Sequence, residues 1–390
     1  VYLGMFLGGL PRLKLDRSGV ALLGAIADIA VSGKGVIEAA GAVDLPTILL
    51  LFAFMVISAQ MRLGGFYAAV TRRVGDLPLS DPALLAALIG VAAGLSAVFS
   101  NDVICLAMTP IVARLCLRRG SNPLPFLIGL ACAANIGSAA TLIGNPQNML
   151  IGSVLRLDFG DYALTALVPV LLSLLVLWGW LVCVPHDRVD PLPPTDLRSE
   201  DPPFNAWQTT KGLAVAGGLM WLFLFRDGPH EVMALLGAGL LLLSRRLASA
   251  EFMKLVDWPL LILFMGLFVV NHAFEQTGLS ASAVLWLAEH GVRLSDPGPL
   301  LVVGVVLSNL VSNVPAVMLM LPHLADDPQA GVLLALVTTF AGNLLLVGSI
   351  ANLIVVDLAE KEGIAINWRA HLRLAAPAAL GSLILCVLLM

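Results

Sequence analysis

The chain has 390 residues, of which 59% are hydrophobic and only 12% are charged, and its formal net charge is -4. A soluble domain carries roughly 25% charged residues, so this composition excludes a protein that meets only water. Apolar stretches close to the ~20 residues of a membrane-spanning helix recur along nearly the whole length. We therefore predict an all-α integral membrane protein with about eleven spans. The clearest spans lie near residues 18–33, 45–61, 162–184, 209–225, 229–244, 257–274 and 374–390.

Basic residues are distributed unevenly along the chain. If residues 10–17 are cytoplasmic and the spans alternate, all but four of the 22 Lys and Arg residues fall in internal loops. The positive-inside bias then sets the orientation of a multi-pass protein in the cell (inner) membrane. The same count requires the segments 82–118 and 296–325 each to enter and leave the membrane on one side.

One long polar stretch interrupts the apolar pattern. Residues 185–208 are rich in Pro and Asp, which predicts a cytoplasmic linker between a first half, 1–184, and a second half, 209–390. Residues 1–10 are typical of the end of a further helix.

Several function classes are disfavoured by what the chain lacks. The five cysteines lie in apolar stretches without metal-ligand spacing, so we predict buried packing residues and no resident cofactor. The absence of GxxxxGK[ST], HExxH and GxSxG argues against an ATP-driven pump domain and against an enzyme. Basic residues follow loops rather than a binding face, so nucleic acid is not an expected partner.

The two halves share an internal repeat. Three blocks recur in the same order, and the matched blocks are Val43–Pro46 with Val256–Pro259, Leu95–Asn101 with Leu307–Asn313, and Leu142–Asn148 with Leu346–Asn352. The charge distribution places the two copies in opposite orientations, which predicts the inverted-topology repeat of secondary transporters. The alternative is an unrelated tandem of helices in a membrane enzyme.

Each half contains a predicted re-entrant hairpin. In 82–118, two apolar helices flank the polar tip Ser100–Asp102, and in 296–325 they flank the tip Ser312–Pro315. Irregular backbone survives in a membrane only where protein or a wet cavity surrounds it, so polar tips at mid-depth indicate such a place. Pro315 fits the first turn of a helix, where its missing N–H costs little.

A predicted broken helix follows each hairpin. The first, 123–157, is interrupted at Gly144–Asn148, and the second, 330–358, is interrupted near Gly342 and again at Gly348. Freed carbonyls can coordinate Na⁺ or accept a proton donor, and exposed helix N-termini attract anions. The alternative is that these Ser, Asn and Gly residues only pack helices together.

Tips and breaks together predict one central site. The predicted substrate-binding residues are Ser100, Asn101, Asp102, Asn145, Asn148, Ser312, Asn313 and Asn352. The predicted coupling-cation residues are Asp102, Asn101, Gly144, Asn313, Gly348 and Ser349, with a Na⁺ site near Asn101 and Asn313. An acid at mid-membrane depth is a candidate coupling group, although Asp102 could instead cap the second hairpin helix.

These motifs resemble a known group of proteins. Ser100–Asp102, Asn135–Thr141 and Ile143–Asn148 are similar to the ion transporter superfamily, which includes arsenite permeases, the melanosomal P protein, citrate transporters and divalent anion/sodium symporters. The resemblance implies a homodimer in which a fixed scaffold holds a moving transport domain, as in an elevator.

Two positions depart from the sodium–dicarboxylate members of that group. Those members carry Ser-Asn-Thr at both tips, whereas this chain has Asp102 and Val314 at the third position. The resemblance therefore favours H⁺- or Na⁺-coupled transport of a small anion, an oxyanion or an arsenite-like neutral solute, by symport or antiport. The alternatives are a passive anion channel, a sodium-coupled dicarboxylate or citrate symporter, and an intramembrane enzyme that uses Asp102.

Overall fold

The computed structural model describes residues 1–2, 4, 15–32, 35–184, 203–226, 228–294, 296–324 and 327–390. Residues 185–202 of the predicted linker and most of the predicted helix tail at 1–10 lie outside these ranges. Every regular element within the described ranges is helical, which confirms the all-α prediction for this part of the chain.

Nine helices make up the described part of the first half. They are α1 Arg17–Ser32, α2 Val36–Gly41, α3 Leu45–Leu63, α4 Phe66–Gly75, α5 Asp81–Val98, α6 Asn101–Arg119, α7 Pro123–Ser138, α8 Pro146–Val154 and α9 Phe159–Cys183.

Ten α-helices and two short 3-10 turns are described in the second half. The helices are α10 Ala206–Phe225, α11 His230–Leu242, α12 Ser249–Met253, α13 Trp258–Gln276, α14 Leu279–Glu289, α15 Pro297–Val311, α16 Asn313–Met320, α17 Pro328–Ala341, α18 Ile350–Lys361 and α19 Trp368–Leu389. The 3-10 turns are Leu321–His323 and Leu346–Gly348.

Helix starts follow local capping chemistry. Asp44 accepts a hydrogen bond from the Thr47 N–H at the start of α3, and Asp257 accepts one from the Leu260 N–H at the start of α13. In both helices a proline follows in the first turn, where its missing N–H breaks no intrahelical bond. The α19 helix begins at Trp368, six residues before the predicted span, because Asn367 caps it through the Ala370 N–H.

Five of the described helices are long and apolar enough to cross a membrane, namely α3, α5, α9, α13 and α19. Five further apolar helices are shorter, including α11, whose 13 residues fall short of the predicted span 229–244. Length alone does not separate a span from an arm of a re-entrant hairpin, because α5 belongs to the predicted hairpin 82–118.

The helices pack into two groups. We call α1, α3, α10, α11 and α13 the frame group, in which α1 packs along α13 and α11 packs along α3. We call α5–α9 and α15–α19 the core group, in which α5 and α6 pack on α7, α15 packs on α17, and α9 packs on α19.

The two groups meet where α8 contacts α3, α16 contacts α13 and α9 contacts α10. Side-chain hydrogen bonds from Ser153 and Asn271 cross this boundary. Ser153 Oγ donates to Asp44 Oδ1 at 3.1 Å, and Asn271 Nδ2 donates to the Met318 carbonyl at 3.1 Å.

Candidate functional site

The chain is interrupted at both hairpin tips. Between α5 and α6 the interruption covers Phe99 and Ser100, and between α15 and α16 it consists of Ser312. Ser312 has φ 79°, an uncommon conformation for a residue with a side chain, so this tip stores local strain. Pro315 lies in the first turn of α16, as its sequence position predicts.

Both broken helices restart with a side-chain cap. After the interruption that follows α7, Asn145 accepts a hydrogen bond from the Asn148 N–H at 2.9 Å and starts α8. After the interruption that follows α17, Ser349 accepts one from the Ala351 N–H at 3.2 Å and starts α18. The two caps lie 204 positions apart, the same offset that separates the sequence blocks.

Asn135 on α7 joins the first tip to the second broken helix. Its Oδ1 accepts hydrogen bonds from Asn101 Nδ2 at 2.8 Å and from Ser349 Oγ at 3.1 Å. Its Nδ2 donates to Asn343 Oδ1 at 2.7 Å and to Asn352 Oδ1 at 3.3 Å. All five side chains belong to residues buried or nearly buried in the core group, so this network lies inside the protein.

An equivalent hydrogen bond joins the second broken helix to the first. Asn145 Nδ2 donates to Thr339 Oγ1 at 3.3 Å. At the offset of 204, Thr339 is the equivalent of Asn135 and Ser349 is the equivalent of Asn145. The contact between Ser349 and Asn135 therefore has an equivalent with the halves exchanged.

The two asparagines that follow the breaks also bind equivalent carbonyls. Asn148 Nδ2 donates to the Thr141 carbonyl at 3.1 Å, and Asn352 Nδ2 donates to the Leu345 carbonyl at 3.3 Å. Each side chain thereby satisfies an acceptor that the interruption of the helix had freed.

Each tip contacts a glycine in the following break. The Asn101 N–H donates to the Gly144 carbonyl at 3.3 Å. With its amide oriented to satisfy its neighbours, Asn313 donates to the Gly348 carbonyl at 3.2 Å. A Cβ atom on Gly144 would lie 2.2 Å from the Ser138 carbonyl oxygen, so this approach requires glycine.

Most predicted site residues lie in this connected region. They are Asn101, Gly144, Asn145, Asn148, Asn313, Gly348, Ser349 and Asn352. The side chains of Ser100, Asp102 and Ser312 make no hydrogen bond within the described part of the chain, and all three residues are partly exposed. Ser100 occupies the N-cap position of α6, so the alternative that Asp102 caps this helix is wrong.

Sequence reasoning missed several members of the network. Asn135 stands in the quoted Asn-Ile-Gly motif and Asn343 follows the Gly342 break, so both carried a usable signal. His371 on α19 carried no such signal. Its Nε2 lies 3.1 Å from the Asn343 carbonyl only because folding brings these distant segments together. Thr339 is signalled only by its register with Asn135.

Three buried polar atoms at the site have no hydrogen-bond partner among the described residues: Asn101 Oδ1, Asn148 Oδ1 and Asn343 Nδ2. Buried polar groups are normally paired, so each unpaired one needs an explanation. An amide oxygen can accept from a protonated group or ligate a cation, and an amide nitrogen can donate to an oxyanion. The donors and acceptors here are amides, hydroxyls and carbonyls, and the described residues hold no cluster of three or more His, Cys, Asp or Glu side chains.

Comparisons with known proteins identify the class of this protein. The family model described as citrate transporter matches residues 6–341. An uncharacterized transporter of Mycobacterium tuberculosis is 30% identical over 380 residues, covering 88% of this chain and 85% of the relative. The silicon efflux transporter LSI3 of Oryza sativa subsp. japonica is 29% identical over 421 residues, covering 90% and 87%.

The fold also resembles a solved transporter. The crystal structure of the Alcanivorax borkumensis YdaH transporter aligns with 96% of this chain and 88% of that chain at a TM-score of 0.55, with 14% sequence identity. The matched family and relatives are transporters rather than enzymes, which confirms the expectation of a transport protein and excludes the enzyme alternative. The chain belongs to the citrate transporter family, one of the groups that its tip and break motifs resemble.

Proposed function

We propose that this protein is a secondary active transporter that moves a small anion, an oxyanion or an arsenite-like solute, coupled to H⁺ or Na⁺. The observation that carries the proposal is the buried network around Asn135, which joins the first tip to the second helix break and leaves, among the described residues, both an unpaired acceptor and an unpaired donor. A site that offers both can bind a cation and an oxygen-rich solute together.

The substrate side of the proposed site is centred on Asn343. Its Nδ2 is a buried donor without a partner among the described residues, and Ser349, the N-cap of α18, binds the same Asn135 side chain as Asn343. Helix N-termini favour negative charge, so an oxyanion suits this position. The family description names citrate and the rice relative is named for silicon efflux; citrate and the oxyacids of silicon and arsenic all present oxygen atoms to amide donors.

The cation side of the proposed site is centred on Asn101. Its unpaired Oδ1 lies on the same residue whose N–H binds the Gly144 carbonyl, and Asp102 is the next residue. Unwound carbonyls and a neighbouring carboxylate are the groups that bind Na⁺ or H⁺ in transporters with broken helices. Asp102 is therefore the residue expected to link substrate movement to the cation gradient.

The proposed movement is an elevator, in which the core group moves against the frame group within a homodimer. Support comes from the equivalent hydrogen bonds at offsets of 204 and from the exchanged packing of α1 on α13 and α11 on α3. Two inverted halves would interconvert by exchanging conformations, which converts an inward-open state into an outward-open one.

Flux measurements in proteoliposomes test the proposal. We expect the purified protein to accumulate citrate, arsenite or silicic acid against a concentration gradient when a pH or Na⁺ gradient is imposed. Asn135→Ala, which removes the centre of the network, should abolish this accumulation. Flux that only ever follows the solute gradient would establish a passive channel instead, and no flux of any of the three solutes would contradict the proposed substrate class.

A further inference from the structure

Two clefts lie at opposite ends of α3. The acidic cleft, of about 430 Å³, is lined by Asp44 at the start of α3 and by Glu275 near the end of α13. The basic cleft, of about 340 Å³, is lined by Arg62 near the end of α3 and by Arg114 on α6. Since α3 has 19 residues at about 1.5 Å each, the clefts are separated by roughly the thickness of a membrane's hydrocarbon core.

The two clefts occupy equivalent positions in the two halves. Each is bounded by the end of a frame helix, the second arm of a hairpin and the helix after a break. The equivalent lining residues are Arg62 and Glu275 at an offset of 213, Leu106 and Met318 at 212, Pro110 and Pro322 at 212, and Val154 and Leu358 at 204. These are the offsets of the three matched sequence blocks, so the same architecture forms both clefts.

Their charges are opposite. In the basic cleft, Arg114 pairs with Glu362 at 2.8 Å, whereas Arg62 has no ion pair among the described residues, which leaves one excess positive charge. In the acidic cleft, Glu275 accepts from Asn271 Nδ2 at 2.7 Å and Asp44 accepts from Ser153 Oγ at 3.1 Å, with His272 beside them. Neither carboxylate has an arginine or lysine partner in the described ranges.

A partly exposed side of α6 runs from the first tip to the basic cleft. Asp102, Leu106, Pro110 and Arg114 are partly exposed and are spaced four residues apart, which places them along one side of the helix. On the second hairpin, α16 is buried from Asn313 to Met318. The partly exposed side of α6 thus extends from Asp102 to the residues that line the basic cleft, whereas the equivalents of Asp102 and Leu106 on α16, Val314 and Met318, are buried.

We propose that the basic cleft is a second anion-binding site, in which the Arg62 guanidinium captures a small carboxylate or oxyanion before it reaches the Asn101 tip. This inference rests on the proposed transport function, for which the basic cleft would be the entry site of the anion. The positive-inside bias places this end of the protein in the cytoplasm. The acidic cleft, its equivalent at the other end, repels the same anions. Arg62 binds the anion, and the Arg114–Glu362 pair forms a fixed wall of the site.

Thiol labelling measures the charge of each cleft without requiring transport. In a Cys183→Ser background, which removes the exposed cysteine, Leu358→Cys places a thiol in the basic cleft and Val154→Cys places one at the equivalent position of the acidic cleft. We expect the ratio of labelling rates by anionic and cationic methanethiosulfonates to be roughly tenfold higher at position 358 than at position 154. Citrate should slow labelling at position 358 only.

Matched charge variants assign the effect to Arg62. Arg62→Gln should lower the ratio at position 358 roughly threefold and remove protection by citrate, whereas Glu275→Gln, its equivalent, should leave position 358 unchanged. Equal ratios at the two positions, an unreactive thiol at position 358, or indifference to Arg62→Gln would overturn the proposal.

A lipid phosphate offers the same chemistry as a small oxyanion, so the lipid must be varied. In nanodiscs of zwitterionic lipid, citrate should protect position 358 as it does in detergent. Protection by added phosphatidylglycerol but not by citrate would identify a lipid headgroup as the occupant and overturn the proposal. A positive labelling result together with absent flux would contradict only the proposed transport function.

Discussion

The two hairpin tips contact equivalent helix breaks, but the asparagine side chains of the two tips differ in their hydrogen bonds. The Asn313 amide is surrounded by Ser308 Oγ at 2.5 Å, the Thr338 carbonyl at 3.1 Å and the Gly348 carbonyl at 3.2 Å. Asn101 binds Asn135 and leaves its Oδ1 buried without a partner among the described residues. One architecture thus gives an amide with three bonded neighbours at one tip and, among the described residues, an unpaired amide oxygen at the other.

Backbone and charge differ between the tips as well. Ser100 has an ordinary φ of -58°, whereas Ser312 has φ 79°. The residue two positions later is partly exposed Asp102 in the first tip and buried Val314 in the second. The first tip therefore combines the carboxylate, the free acceptor and the relaxed backbone, and we expect it to carry ligand and cation binding.

The largest expected effect on stability comes from substitution of Gly144 and Gly348, whose carbonyls bind the tip asparagines. A Cβ atom on Gly144 would lie 2.2 Å from a backbone oxygen, and one on Gly348 would lie 2.9 Å from Asn309 Oδ1 and from the Gly342 carbonyl. We expect Gly144→Ala to lower the free energy of unfolding by about 3 kcal/mol or more and Gly348→Ala by about half as much. Thermal unfolding of the purified protein checks this order. Gly94→Ala on α5, with open space around it, is the control, and equal melting temperatures for all three variants would contradict the close packing at Gly144 and Gly348.

An intermediate effect is expected from the tip asparagines, and it should separate binding from stability. Asn313→Ala leaves three buried groups without their hydrogen-bond partner. It should therefore lower the free energy of unfolding by about 1–3 kcal/mol while preserving ligand affinity. Asn101→Ala should weaken ligand affinity at least ~10-fold with a smaller loss of stability, because one of its amide atoms is already unpaired. The shift in melting temperature produced by citrate or arsenite measures affinity in both variants. Equal loss of affinity in the two would show that the tips do not differ in function.

The smallest effect on stability is expected at Asp102. Its side chain is partly exposed and makes no hydrogen bond within the described ranges, so Asp102→Asn should change the free energy of unfolding by no more than about 0.5 kcal/mol. The same variant should lose accumulation driven by a pH gradient while retaining downhill flux. Val314→Asp, which adds an acid to the second tip, should not restore coupling in the Asp102→Asn variant. Unaltered pH-driven uptake by the Asp102→Asn variant would show that Asp102 takes no part in coupling.

The places where helices are interrupted could be predicted from the sequence, because interruption needs particular residues. Ser-Asn at both tips and Gly-Asn-Pro in the first break are poor helix formers that satisfy or relax freed backbone groups, and the described helices end and restart beside them. The caps at Asp44 and Asp257 have the same local origin, since a capping side chain followed by proline marks a helix start.

The partners of these residues could not be predicted, because they come from distant segments. Asn135 donates to Asn343, 208 positions later, and no local pattern encodes such a pair. His371 reaches the site through a backbone carbonyl, which has no sequence signature. The predicted span 374–390 begins six residues after the start of α19, because Arg369, His371 and Arg373 give the first turns of this helix a polar composition typical of a loop.

The exchanged packing of the frame group has a consequence for biogenesis. The α1 helix packs along α13, closely enough that a Cβ atom on Gly266 would lie 2.8 Å from the Ala21 backbone. Its partner is therefore synthesised only after the whole first half has left the ribosome, and α3 must likewise wait for α11. Membrane insertion of the first half yields an intermediate with two bare helix faces, so a fragment that ends in the linker should be degraded, and co-expression of the missing half should rescue it.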